Sequence, residues 1–228
     1  MNAADRISGV ASQDGFLLKI PPGARVLELG CGSGTKLQRV HELNPSAELW
    51  GCDIVPVTSL PDSARFAVVN LEHDKLPYAD GYFDVIIMIH VLEHLAHHAL
   101  VAEEARRVLR PGGLVYIEAP NFRSTLLPSF LFHVEQGNPV NFYDDPSHVR
   151  PWTKGGLFFY LRGHDFLVQS VGLTRPLRLL PLATYRLLRA LLRGDRQAAT
   201  NALWTVVGWS VYAIGRKPAS QSESWKSR

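Results

Sequence analysis

The sequence predicts an α/β protein in which a mostly parallel sheet is covered by helices on both faces. Apolar runs rich in Val, Ile and Phe alternate with segments of helical periodicity, as in repeated strand–helix–strand units. A turn with three glycines follows the first apolar run. The chain has 228 residues, 46% of them hydrophobic, which is enough to bury one large core. We expect one domain over residues 1–218 and a disordered polar tail over residues 219–228.

Seven apolar segments are candidates for the strands of this sheet. The first five are apolar along nearly their whole length, so we expect both of their faces to be buried. In chain order the segments are ARVLELG (24–30), AELWGCDI (47–54), RFAVVNL (65–71), FDVIIMIHV (83–91), GLVYIEAP (113–120), DFLVQSV (165–171) and WSVYAIGRK (209–217).

Three segments of helical periodicity separate these strands. The first carries Leu37, Val40 and Leu43 on one face, and the second ends before Pro111, which cannot continue a helix. The segment VPVTSLPDSA between the second and third strands contains two prolines and is expected to hold little helix. The predicted helices are residues 36–43, 97–110 and 153–165.

The glycine turn predicts a ligand that approaches the backbone closely. Gly30, Gly32 and Gly34 leave room because they lack Cβ atoms, and the start of the next helix offers N–H groups to an anionic or electron-rich group. The spacing is GxGxG and Thr35 follows it, which argues against the GxGxxG pattern of dinucleotide-binding proteins. Asp53 ends the second strand about 20 residues later, where a carboxylate accepts hydrogen bonds from ribose hydroxyls. From the motif alone, an ordinary glycine loop with a strand-capping Asp53 remains the alternative.

Five motifs together resemble one enzyme family. VLELGCGSG, GCDI, LPYADGYFDVIIMIHVLEHL, RRVLRPGGLVYIEAPN and DPSHVRPWTKGGLFFYLRGHDF occur in the order seen in class I S-adenosylmethionine-dependent methyltransferases. The chain resembles the type 11 and type 23 groups, which include MetW-like and ubiquinone-type O-methyltransferases. The resemblance covers roughly residues 20–172 and the last strand. It implies a Rossmann-like seven-stranded sheet with an antiparallel last strand, and S-adenosylmethionine as the cofactor.

The resemblance also implies roles for individual residues in cofactor binding. Glu28 and the loop Gly30–Gly34, which includes Cys31, would line the methionine part of the cofactor, Asp53 would bind the ribose and Ile54 would pack on the adenine. The adenine amino group would meet Asn70 or Glu72, of which we favour Glu72.

The segment after the fourth strand would lie under the reactive end of the cofactor. His90 is expected there, as a packing residue rather than a chemical group. Some quinone-type relatives bind a divalent cation at this point through an acidic pair and a histidine, but this chain has His90 where their motif begins with a carboxylate. We therefore predict no metal site, and leave open a cation bound through Glu93 and His94.

A histidine is the best candidate for the base that would remove a proton from a hydroxyl acceptor. His148 is the first choice and His133 the second; both lie in or beside a long aromatic-rich connection, residues 121–152, expected to form a lid or substrate wall. The alternative for His148 is a structural residue hydrogen-bonded to Asp144 or Asp145.

The charge is divided unevenly along the chain. Residues 1–173 hold 14 Lys and Arg against 19 Asp and Glu, a net −5, whereas residues 174–228 hold 10 against 2, a net +8. Residues 174–208 form a basic helical insertion in which Arg186, Arg189 and Arg193 lie opposite a face of leucines, Leu187, Leu188, Leu191 and Leu192. Such a helix is either a packed lid or a contact with an anionic membrane surface.

The predicted function is methyl transfer from S-adenosylmethionine to a hydroxyl or carboxyl of a small, amphipathic or lipid-linked acceptor. The alternatives are a MetW-like accessory protein without transfer activity, a dinucleotide-dependent oxidoreductase and a membrane-surface module with a vestigial pocket. The two cysteines have no CxxC spacing and the N-terminus has no signal-like apolar stretch. We expect a cytoplasmic protein, associated if at all with the inner face of a membrane, and no nucleic-acid partner; the oligomeric state is left open.

Overall fold

A seven-stranded sheet forms the centre of the molecule. The computed structural model describes residues 13–57, 59–127, 141–174 and 180–224, except the side chains of residues 196 and 197. The strands are β1 (Arg25–Leu29), β2 (Glu48–Asp53), β3 (Arg65–Val68), β4 (Phe83–Ile89), β5 (Leu109–Pro120), β6 (Leu167–Leu173) and β7 (Ser210–Arg216). They lie in the order β3-β2-β1-β4-β5-β7-β6.

The strand directions confirm the predicted topology. The first five strands pair in parallel, and β7 runs antiparallel to both of its neighbours, β5 and β6. The first three strands extend the sheet from β1 through β2 to β3 on one side, and β4 then pairs with β1 on its other side. The carboxyl ends of β1 and β4 therefore flank the point where the strand order reverses, which is where open α/β sheets bind their ligands.

Helices cover both faces of the sheet, as expected. They are α1 (Gln13–Leu17), α2 (Thr35–Leu43), α3 (Ala99–Val108), α4 (Lys154–Gly163), α5 (Leu180–Arg193) and α6 (Arg196–Val207). Side chains of one strand alternate between the two faces, so Val26 packs with Leu37 of α2 on one face while Leu27 joins the cluster that contains Leu157 of α4 on the other. Both strand faces of β1 are fully buried.

Three segments differ from the sequence prediction. Burial on both faces is wrong for β3, where Val68 is 58% exposed, because β3 lies at the sheet edge with β2 as its neighbour. The second predicted helix ends at Val108, since Leu109 already pairs with Phe83 as the first residue of β5. In the expected disordered tail, Ser224 is buried and donates a hydrogen bond to Asp165.

Two segments outside the sheet lie near the carboxyl ends of its parallel strands. The insertion between β6 and β7 folds into a helical hairpin of α5 and α6. The predicted lid, residues 121–152, contains short 3-10 helices at Phe122–Leu126 and Phe142–Asp144; residues 128–140, including His133, lie outside the described residues. Among the described helices, none combines the length and apolar character needed to cross a bilayer.

Candidate cofactor and acceptor site

Glycine is needed at the three positions of the turn after β1 for different structural reasons. All three have positive φ, of 67° at Gly30, 49° at Gly32 and 74° at Gly34, a region that side chains with a Cβ rarely adopt. A Cβ on Gly30 would lie 2.5 Å from Val91, and one on Gly34 would lie 2.6 Å from Leu60. A Cβ on Gly32 would meet no atom within 4 Å. Close packing within the protein thus requires two of the glycines, and Gly32 alone faces open space.

The turn is bonded to the end of β2. The N–H groups of Gly30 and Cys31 donate to the carbonyl of Cys52 at 2.8 and 3.0 Å, and the N–H of Gly32 donates to Asp53 Oδ2 at 2.8 Å. These bonds fix the Asp53 carboxylate beside the open face of the turn.

The residues around Asp53 suit a nucleoside. Asp53 is half-buried, so its oxygens keep capacity to accept hydrogen bonds from ribose hydroxyls. The next residue, Ile54, is 62% exposed, which leaves an apolar side chain free to pack against a base. The structure places both predicted residues together with the glycine turn.

Glu28 is a buried carboxylate with an unsatisfied oxygen. Its side chain is 2% exposed, and within the described part of the chain Oε2 has no hydrogen-bond partner. Burial raises the pKa of Glu28 to about 8, against the lowering effect of the Lys36 charge. An unpaired buried carboxylate is costly, and a cationic ligand group such as an amino acid's ammonium would relieve that cost. Cys31 is buried and packs close to Gly51, so its contribution to the turn is made by its backbone.

Glu72 is engaged within the protein. Its Oε1 accepts hydrogen bonds from the N–H groups of Ala96 and His97 at 2.7 and 2.9 Å, and the His97 bond leads the effects that lower the pKa of Glu72. Asn70 Oδ1 accepts from the N–H of Glu72 at 3.0 Å. Adenine recognition by Glu72 stays a prediction, and one of its oxygens already links two loops.

A cavity of about 860 Å³ lies at the carboxyl edge of the sheet. Its walls come from the loop after β4, the lid, α6 and the beginning of β7. The lining side chains include His90, Glu93, His94, Glu118, Asp145, His148, Asn201, Trp204, Thr205 and Trp209. The lining therefore combines titratable side chains with two tryptophans.

His90 lies at the floor of this cavity in a strained conformation. Its φ is 55°, uncommon for a residue with a side chain, and its N–H donates to the carbonyl of Glu118 at 2.9 Å. Its Nδ1 lies 2.9 Å from Glu93 Oε1. Burial would lower the pKa of His90, but the hydrogen bond and negative charge of Glu93 outweigh it, so the pKa is raised. The ring also lies 5.6 Å from that of Trp209.

His148 is held by the lid in one orientation. Its Nδ1–H donates to the carbonyl of Phe142 at 2.7 Å, and the two rings stack with centroids 4.5 Å apart. Nε2 is therefore the nitrogen with the free lone pair, and it lies 3.8 Å from Asp145 Oδ2. Asp144 instead accepts from the N–H of Asn141. The His148 ring is thus fixed mainly by a backbone carbonyl rather than by the neighbouring carboxylates.

Several lining residues were missed from the sequence. Glu118 interrupts the apolar pattern of β5 and accepts a hydrogen bond from Tyr116 at 2.7 Å; a charged residue within a strand was a usable signal. Trp204 and Trp209 reach the cavity through the hairpin and the turn into β7, for which the sequence held no local signal.

Comparison with known proteins agrees with this architecture. Residues 27–117 match the methyltransferase domain family. A probable S-adenosylmethionine-dependent methyltransferase of Mycolicibacterium smegmatis is 35% identical over 151 residues, covering 65% of this chain and 54% of that protein. The 2-methyl-6-phytyl-1,4-hydroquinone methyltransferase of Synechocystis is 32% identical over 143 residues, covering 59% of this chain and 41% of that protein. This chain therefore spans about half the length of these curated relatives.

The fold itself is shared over nearly the whole chain. An S-adenosylmethionine-dependent methyltransferase from Mesorhizobium loti superimposes with a TM-score of 0.60 at 16% identity, covering 92% of this chain and 100% of that one. The glycine turn, Asp53 and Glu28 all lie within residues 27–117, the segment that matches the family. They lie near the point where the strand order of the sheet reverses. Over residues 27–117 the chain thus matches the methyltransferase domain family in sequence, and its fold is that of class I S-adenosylmethionine-dependent methyltransferases.

Proposed function

We propose that the protein transfers a methyl group from S-adenosylmethionine to an oxygen atom of a small amphipathic or lipid-linked acceptor. The observation that carries this proposal is the mixed cavity of about 860 Å³, which His148 and Glu93 line together with Trp204 and Trp209. Such a cavity suits a molecule with a polar reacting end and an apolar body.

The residues at the turn fit the cofactor. The Glu28 carboxylate has an unsatisfied buried oxygen for an ammonium group, Asp53 has acceptor capacity for a ribose, and Gly32 faces space that a Cβ would enter. When bound, the cofactor supplies a methyl group already activated on a positively charged sulfur. The protein's own contribution is then to position the acceptor, exclude water and deal with the acceptor's proton.

His148 is the group we assign to the acceptor's proton. Because Nδ1–H is held by the Phe142 carbonyl, the neutral ring presents the Nε2 lone pair beside Asp145. A lone pair in this position acts in one of two ways. It accepts the proton of a hydroxyl directly, or it binds a cation that carries the acceptor oxygen.

The exposed face of α5 supports an amphipathic or lipid-linked acceptor. Leu188, Leu191 and Leu192 are 58%, 63% and 90% exposed, so this leucine face is not buried against the sheet. Arg186, Arg189 and Arg193 instead line a groove toward α6. The helix α6 packs against α5 and supplies Trp204 and Thr205 to the acceptor cavity. The hairpin therefore links the exposed leucine face of α5 to the cavity wall.

Transfer activity is tested with labelled S-adenosylmethionine and fractionated bacterial extract. We expect label in a lipid or amphipathic fraction with the parent chain, and none with Asp53→Ala, while Asp62→Ala, an exposed aspartate outside the site, retains the activity. Binding of S-adenosylhomocysteine without any labelled product would favour the accessory-protein alternative. Label confined to water-soluble acceptors would reject the lipid-linked part.

The surface contact is tested by co-sedimentation with vesicles of half phosphatidylglycerol and half phosphatidylcholine. We expect binding at low salt that weakens as salt shortens the Debye length. Leu192→Ser should reduce it severalfold, and Leu18→Ser, at a leucine 66% exposed elsewhere, should not. Equal binding to neutral vesicles, or equal loss with both variants, would contradict the proposal.

A further inference from the structure

We infer that Glu93, His94 and His148 form a binding site for a divalent first-row transition-metal ion at the floor of the acceptor cavity. This inference deepens the proposed function, on which it rests for its role in methyl transfer. It departs from the sequence-based prediction of no metal site, takes up the cation through Glu93 and His94 that the sequence left open, and adds His148 as a third ligand.

The three side chains converge although they come from different parts of the chain. Glu93 and His94 follow β4, and His148 comes from the lid, yet one potential ligand atom of each lies within 4.8 Å of the other two. Metal bonds to histidine nitrogen and carboxylate oxygen are about 2.0–2.2 Å long, so side-chain movements of about 1 Å bring all three atoms around one ion.

The Glu93 carboxylate points most directly to a cation, because one of its two oxygens is buried and unpaired among the described residues. Glu93 is 0% exposed, and among the described residues its Oε2 has no hydrogen-bond partner. Its Oε1 is bound by His90 at 2.9 Å. A buried charged oxygen without a partner is costly, and a bound cation removes that cost.

The two histidines are oriented for ligation. The Nδ1–H of His148 donates to the Phe142 carbonyl, which leaves Nε2 unprotonated. His94 Nδ1 lies 2.9 Å from Ser147 Oγ, and that hydroxyl also donates to Asp145. Since Ser147 gives its proton to Asp145, it accepts from His94, and the other ring nitrogen is left with a lone pair. Ligating histidines are commonly fixed in this way by a second hydrogen bond.

The ligand set decides the kind of metal. Two imidazoles and one carboxylate favour borderline ions such as Zn²⁺ or Co²⁺, whereas Mg²⁺ prefers oxygen ligands. Three protein ligands leave coordination positions open, and these face the cavity. An acceptor hydroxyl or carboxyl oxygen would occupy one of them. The ion would lower the pKa of a bound hydroxyl so that its proton leaves to water, and His148 would hold the ion rather than take the proton itself.

The site is tested by calorimetry on the full chain after chelator treatment and dialysis. We expect one equivalent of Zn²⁺ or Co²⁺ to bind, at least about 100-fold more tightly than Mg²⁺. Glu93→Gln and His94→Gln should each weaken binding by roughly 100-fold, whereas His73→Gln, at an exposed histidine away from the cavity, should leave it unchanged. Thermal melts of each variant separate lost binding from lost folding.

A second titration with S-adenosylhomocysteine separates this inference from the proposed function. Metal binding that survives His73→Gln but not His94→Gln supports the site even if the cofactor product does not bind. If S-adenosylhomocysteine binds normally while none of the three ions binds saturably, or while Glu93→Gln and His94→Gln bind the ions as the parent does, the metal inference is overturned and methyl transfer stands.

Discussion

At the scale of residues, two carboxylates at the proposed cofactor site, those of Glu28 and Asp53, lie in different surroundings. Glu28 is buried without a full set of partners, while Asp53 is bonded to the turn and half open to solvent. The two carboxylates therefore have different roles, because one is desolvated and the other is not. The consequence is a measurable dependence on pH.

Glu28→Gln should remove a pH-dependent loss of stability in the cofactor-free protein. The folded-state pKa of Glu28 is about 8, against 4.5 for an ordinary glutamate, so the folded state binds more protons than the unfolded state between these values and stability falls as pH rises. From pH 6 to 8 the parent should lose on the order of 2 kcal/mol relative to the variant, measured by urea unfolding. Glu48→Gln, at an exposed strand residue, should follow the parent; identical pH profiles for all three chains would contradict the assignment.

The same variant should bind the cofactor product less tightly. A hydrogen bond to a charged group is worth about 1.5–3 kcal/mol, so calorimetry should show roughly a 10- to 100-fold loss of S-adenosylhomocysteine affinity for Glu28→Gln. An unchanged affinity would place the ammonium contact on another residue.

At the scale of elements, the turn from β1 into α2 depends on backbone conformations that side chains disfavour. Gly34 is the residue before α2 and has a left-handed conformation, and a Cβ there would also press on Leu60 and on the carbonyl of Ser59. The helix start is therefore fixed in place by packing as well as by hydrogen bonds.

Gly34→Ala should destabilise the fold, and Gly163→Ala should not. The first change adds left-handed strain and a contact of 2.6 Å with Leu60, an expected cost of about 1–3 kcal/mol. Gly163 ends α4, and a Cβ there meets nothing within 4 Å, so alanine should be neutral or stabilising by up to about 1 kcal/mol. Denaturant unfolding checks both, and equal effects would show that the turn tolerates a side chain.

Elements were easier to predict from the sequence than the site they form. Apolar runs identified all seven strands. The glycine turn and Asp53 lie at fixed distances in the chain, so the sequence predicted that they meet at one edge of the sheet, and the structure places them there. The burial of β3 and the end of α3 were not predictable locally, since both depend on which strand pairs next to them. The meeting of Glu93 with His148 depends on how the lid packs, which no spacing encodes.

At the scale of the whole molecule, the C-terminal segment is bonded to the sheet and to the turn before β6. Ser224 donates to Asp165, which also pairs with Arg106 of α3 at 2.6 Å, and Glu223 pairs with Arg216 of β7 at 3.0 Å. The segment expected to be disordered thus contacts β7 and the turn before β6, and it is linked to α3 through Asp165.

A chain that ends at Pro218 should be less stable than the full chain. The buried hydrogen bond of Ser224 alone contributes about 0.5–1.5 kcal/mol, so truncation should lower the Tm by roughly 1–6 °C or more. Ser224→Ala in the full chain should show a smaller decrease. An unchanged Tm after truncation would mean that the tail does not contribute to the folded state.

The position of the helical hairpin also bears on how this protein can evolve. Leu173 and Val211 pair across β6 and β7, and the N–H of Thr174 bonds to the carbonyl of Ser210 at 3.1 Å, so the two ends of the insertion leave the sheet side by side. An insertion whose ends already meet can be shortened, lengthened or exchanged without moving either strand. Under the proposed function, acceptor selection by α6 can therefore diverge among descendants of one ancestor while the glycine turn is inherited unchanged.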